Sequence, residues 1–129
     1  MTGIVVNVIG NHVSRNFEAG IVLLGTSGVL VEGNTASRDY EGIDVGGPGG
    51  AVVASSGNTI QANTATFERH DGILVESTSS ANVLTLNVLR RNFHLQAEDL
   101  SSGGGTAGTA NTWPGGVCLP VTSSPLGIC

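Results

Sequence analysis

The chain has 129 residues, 20 of them Gly, with 12% charged side chains and a net charge of −5. This length allows one domain with a modest core, and the abundance of Gly, Ser, Thr, Asn and Val favours strands and turns over helices. With no Lys a catalytic lysine is excluded; five Arg in an acidic chain argue against nucleic acid, and no apolar run approaches the ~20 residues of a membrane helix.

Residues 4–9 read as a strand with almost no lead-in, and no signal-like apolar core precedes it. Ile4, Val6, Val8 and Ile9 would leave an open apolar coil at this end. Either earlier coils precede it in a longer chain, or a second copy covers it, giving a homo-oligomer. From here a phrase recurs: Asn11-His-Val, Asn34-Thr-Ala, Asn63-Thr-Ala and Asn87-Val-Leu, spaced by 23, 29 and 24 residues. Five residues after each Asn stands a second polar residue, Asn16, Asp39, Glu68 and Asn92. The first three copies then reach Gly20-Ile21, Gly42-Ile43 and Gly72-Ile73, and Gly3-Ile4 looks like the remnant of another copy. A period near 25 predicts a solenoid.

The alternation within each copy is that of strands with one buried face. Val8, Val31, Ile60 and Leu84 point inward three positions before the Asn, and Val13, Ala36, Ala65 and Leu89 two positions after it. Ile21, Ile43 and Ile73, then Leu23, Val45 and Val75, form two further inward columns. Three strands per coil, each matched in the next coil, describe an all-β parallel β-helix of about four coils. Asn11, Asn34, Asn63 and Asn87 then form a structural ladder at one bend, where Asn tolerates the left-handed turn and bonds neighbouring backbone. Phe17, Tyr40, Phe67 and Phe93 fall near one corner, as a loose ladder. Gly25–Gly28, Gly46–Gly57 and Ser77–Ala81 are loops of unequal length that emerge at a single corner.

The fourth copy lacks Gly-Ile, so the coils are expected to occupy 1–100, with a Gly/Ser-rich linker and irregular C-terminal tail at 101–129. Trp113 is expected to anchor this tail over the core. Cys118 and Cys129 suggest a disulfide and an oxidising compartment, with two free thiols as the alternative. His12, His70 and His94 look scattered, and no metal site is expected.

The repeat Asn-x-x-x-x-Asn…Gly-Ile, with the ending Asn111-Thr-Trp…Cys118…Ser123-Ser-Pro-x-Gly-x-Cys129, resembles the right-handed parallel β-helix proteins of the pectin-lyase-like superfamily. It is similar to the secreted NosD-like group. The resemblance implies a right-handed helix in a secreted, periplasmic or cell-surface protein. It also implies polysaccharide as the partner class, since relatives include lyases, hydrolases and epimerases. Chemistry would then fall on the corner of the second and third coils. Asp39, Glu41, Asp44, His70 and Asp71 are the catalytic candidates, Arg38 and Arg69 binding candidates beside them, and Ca²⁺ the cofactor if the chain is a lyase. The leading reading is a binding or scaffolding protein whose charged corner is a solvated edge of Arg–carboxylate pairs, with a lyase, hydrolase or epimerase as the alternative. Thr35 and Thr64, beside His12 on an outward face, are candidates for a flat polar array that binds a sugar.

Overall fold

The computed structural model describes residues 6–47 and 53–129. Gly3, Ile4 and the middle of the Gly46–Gly57 loop lie outside them. Fourteen short strands form three parallel sheets. The first holds β1 (Asn7–Ile9), β4 (Leu30–Glu32), β7 (Thr59–Gln61) and β10 (Val83–Thr85). The second holds β2 (His12–Ser14), β5 (Thr35–Ser37), β8 (Thr64–Thr66), β11 (Val88–Arg90) and β13 (Val117–Leu119). The third holds β3 (Ala19–Leu23), β6 (Glu41–Val45), β9 (Ile73–Val75), β12 (Ala97–Asp99) and β14 (Ser123–Ser124). Chain order runs sheet one, two, three and back, so each of four coils lays one strand on every sheet, and the closing turn adds β13 and β14 to sheets two and three. The fold is a parallel β-helix, as the repeat predicts.

Register follows the expected columns. Val8 pairs with Val31, Ile60 with Leu84, Ala36 with Ala65, Ile43 with Ile73 and Val45 with Val75. These side chains fill the interior, and Val31, Val45, Ile60, Ala65, Ile73 and Val75 are wholly buried. The first coil is open by comparison, with Val6 and Ile9 half-exposed and Val8 only partly buried against the core.

Buried amide ladders run up the corners. The Asn34 backbone N–H and side-chain amide both donate to Asn63 Oδ1, at 3.0 and 2.9 Å, and Asn63 donates in the same way to Asn87. The amide's second hydrogen reaches a carbonyl one coil back: Asn34 to Val8, Asn63 to Val31, Asn87 to Ile60. Asn16, Asp39, Glu68, Asn92 and Gln96 form a second ladder. A third, not anticipated, links Asn58, Asn82 and Asn111 at the loop corner. The left-handed conformation expected at the ladder Asn belongs instead to the residue before it: Gly10, Gly33, Ala62 and Leu86 have φ of 65°, 64°, 53° and 56°. The preceding residue makes the bend and the Asn satisfies the backbone that the bend exposes.

Residues 101–129, expected as linker and tail, add to the coils. Asn111 ends the third ladder, β13 pairs with β11 and β14 with β12. Trp113 closes the end of the core, its indole N–H donating to buried Asp99 at 2.9 Å. A Cys118–Cys129 disulfide ties this last turn, with Cys118 in the inward column beside Leu89.

Candidate functional site

The corner between sheets two and three holds most of the predicted site residues. The local sequence explains why. Between the second-ladder residue and the Gly that opens sheet three, the second coil has only Tyr40-Glu41, whereas the third has Arg69-His70-Asp71. That Gly leaves room for the ladder: a Cβ on Gly42 would lie 2.5 Å from the Gly72 carbonyl oxygen and 2.6 Å from Ala65 Cβ. The chain therefore turns tightly here, and His70 and His94 leave the corner one above the other. Their backbones are bonded in series, His94 N–H to the His70 carbonyl and His70 N–H to the Tyr40 carbonyl. The rings follow the backbone. Tyr40 stacks on His70 with centroids 5.1 Å apart, and His70 on His94 at 4.4 Å.

Asp71, wholly buried, sits behind this stack. Its Oδ1 is 2.8 Å from His94 Nδ1 and also accepts from the Leu95 N–H. Its Oδ2 lies 2.9 Å from His70 Nδ1, but without hydrogen-bond alignment, and both atoms are buried without a true partner. Glu41 Oε1 is 3.9 Å from the same His70 nitrogen. The imidazole edges face solvent, the His70 side chain one-third and the His94 side chain one-half exposed.

Carboxyls continue along the outer face of sheet three, where Asp44 and Glu98 flank Leu74 in register. Burial pushes Glu41 up to about 8, helped by the charge of Asp44 and a hydrogen bond to it. Burial thus favours the neutral form of Glu41 near pH 7, beside Asp44, which also meets the Gly47 backbone. Asp44 itself is raised to about 6, chiefly by burial and then by Glu76. Glu98 is raised to about 7 by burial and by its hydrogen bond to Asp71, and burial also raises Glu76.

Of the five catalytic candidates, Glu41, Asp44, His70 and Asp71 come together, and His94, Glu98 and Glu76 join them. Asp39 does not. It is fully buried in the second ladder, accepting from the Asn16 N–H and amide. Glu68, its neighbour there, is raised to about 7 by burial and then by the Asp39 charge, even though the Asp39 N–H donates to it. Two of the three histidines expected to be scattered are in contact. The signal was present, because His70 and His94 are separated by 24 residues, as are Asn63 and Asn87.

The outer rim of the same corner carries all five Arg, the three Phe and the single Tyr. Arg15, Arg38, Phe67 and Arg91 precede the second-ladder residues in successive coils, each left-handed with φ of 61°, 60°, 60° and 55°. Their side chains point outward and every Arg is exposed. Phe17 and Phe93 are 86% and 90% exposed. Arg69 is held down by the Asn16 and Phe17 carbonyls, between the Phe17 and Tyr40 rings, and Arg91 lies over Phe67. The loose aromatic ladder is thus replaced by the Tyr40–His70–His94 stack, flanked by Phe–Arg contacts. Among the described residues no Arg pairs with a carboxylate; the only close oppositely charged contacts involve His70 and His94. The expected Arg–carboxylate edge is absent there. Thr35 and Thr64 pair across β5 and β8 on the separate outer face of sheet two, partly buried in a column with His12 and Val88.

A family model described as right handed beta helix region matches residues 2–112. No curated protein and no solved structure matches the chain significantly.

Proposed function

Because this chain belongs to the right-handed β-helix family, its coils present successive side chains at a strand spacing of about 4.8 Å, and we propose that it binds an anionic polysaccharide along the corner between sheets two and three. One observation carries the reading: every cationic side chain and every Phe and Tyr of an acidic protein gather on one edge, and no Arg there is neutralised by a carboxylate. Sugar rings present apolar C–H faces to aromatics, and carboxylates accept paired N–H bonds from guanidinium groups. Arg15, Arg38, Arg90 and Arg91, the last lying over Phe67, are the cations for this role, with Phe17, Phe67 and Phe93 as platforms. Arg69 holds the edge in shape. The disulfide fits a protein of an oxidising, extracytoplasmic compartment.

The Glu41–Asp44 pair favours a second reading, in which the site acts on the bound chain. A neutral carboxylic acid beside a histidine is the pairing needed to protonate one sugar oxygen and take a proton elsewhere. Uronate polymers with and without Ca²⁺ test both. Binding should be stronger to polyuronate than to neutral glucan, weaken about tenfold on Arg91→Ala or Phe93→Ala, and fall with salt. Equal affinity for single-stranded DNA, or no response to either substitution, would overturn the binding reading. Product release lost in Glu41→Gln while binding persists would establish the second.

A further inference from the structure

We propose that His70, His94 and Asp71 hold one divalent transition-metal ion of the Zn²⁺ class. A ring nitrogen of each histidine and an Asp71 oxygen lie within 4.8 Å of one another, and His70 Nδ1 and His94 Nδ1 are 2.9 and 2.8 Å from the two Asp71 oxygens. Two of the atoms facing this point are buried: His70 Nδ1 has no aligned partner, and Asp71 Oδ2 meets no amide or hydroxyl, the Glu98 carboxyl being the other group bonded to Asp71. Buried polar atoms rarely stay unmatched, since each loses its water without gaining a partner. An ion at their meeting point would satisfy them together.

The donor set selects the ion. Imidazole nitrogens suit Zn²⁺, Cu²⁺ or Ni²⁺, whereas Ca²⁺ and Mg²⁺ take oxygen ligands. A tetrahedral Zn²⁺ needs Zn–N bonds of about 2.0–2.1 Å, so the imidazoles must swing inward from their stack. Their solvent-facing edges leave them free to do so. Each ring then carries its proton on Nε2 and gives the Nδ1 lone pair to the metal, ionised Asp71 supplies the third ligand, and water or a sugar oxygen completes the shell. The backbone bonding of the two histidines in series fixes the ligand spacing before any ion arrives. The inference does not depend on the polysaccharide reading.

Calorimetric titration of chelator-treated protein with ZnCl₂ tests it, with Co²⁺ as a spectroscopic probe of geometry. The expected result is one Zn²⁺ per chain, a raised thermal midpoint, and a four-coordinate Co²⁺ spectrum. His94→Ala and His70→Ala should each weaken Zn²⁺ binding by at least about tenfold. His12→Ala, on the outer face of sheet two, should not. Both ligand histidines are partly exposed, and an unchanged circular dichroism spectrum separates lost binding from lost fold; His94→Gln serves if the alanine variant unfolds. No Zn²⁺ uptake by the folded protein, undiminished uptake in both ligand variants, or an equal response to Ca²⁺ would overturn the proposal.

Discussion

Gly33 and Gly42 are both turn glycines, yet the coil needs them for different reasons. Gly33 bends the backbone into the left-handed region with φ of 64° and open space around a would-be Cβ, and Ala62 holds the same place one coil later. Gly33→Ala should cost only about 1 kcal/mol, the usual penalty for an L side chain in that conformation. Gly42 is needed for clearance, because a methyl would strike the Gly72 carbonyl and Ala65. Gly42→Ala should cost about 3 kcal/mol by chemical denaturation. In the fourth coil Gln96 takes this place and turns its amide into the ladder, accepting from Asn92 at 2.9 Å. The sequence displayed the Gly-Ile column but not its purpose, since clearance depends on a neighbouring coil. The same limit explains Asp39: its spacing marks it as a ladder member, while its charge invited a catalytic reading. The ladder role is the one realised.

At the scale of the strand and its bend, the Asn columns are the device that lets so short a strand persist. Each strand described is at most five residues long, and its stability resides in stacking. Removing the Asn63 amide leaves the Asn34 backbone N–H and one Asn34 side-chain N–H without their shared acceptor. Asn63→Ala is therefore expected to cost about 2–6 kcal/mol, from roughly 1–3 for each orphaned group, whereas Asn11→Ala, at the exposed first coil, should cost less. A urea series on both variants measures the difference. The first two ladders were legible because they stand five residues apart in every copy. The third was obscured by loops of unequal length, although Asn58 and Asn82 each stand five residues before a recognised ladder Asn. The closing turn was obscured for another reason. Its Gly- and Ser-rich composition reads as linker, while β13 and β14 arise only by pairing with strands already in place. Reducing Cys118–Cys129 should loosen that turn and lower stability by roughly 2–4 kcal/mol, seen as a lower thermal midpoint in reductant.

For the whole molecule, charge is sorted: cations line one rim and acids the adjoining face. The acids set the pH response. Glu41, Glu68, Glu98 and Asp44 all have folded values above their ordinary ones, about 8, 7, 7 and 6. Between the ordinary carboxylate range and those values the folded chain holds more protons than the unfolded one. Stability from these groups is thus complete below about pH 4 and is lost as pH rises through 6 to 8. The thermal midpoint should fall from pH 5 to pH 8.5, and Glu41→Gln should flatten that fall; a midpoint rising over this range would contradict the assignment. The acid–histidine cluster was half legible. Periodicity brought Glu41, Asp44, His70 and Asp71 to one corner, but the contact of His94 with Asp71 and the burial of Asp44 depend on packing between coils. The outermost consequence lies in the ladders themselves. Since each rung repeats the hydrogen-bonding pattern of the one below, the molecule can, outside its loop corner, gain or lose material only in complete windings. Duplicating residues 34–62 should lengthen the rod by one storey with both ends intact, while inserting a single residue inside β8 should throw every storey above it out of alignment.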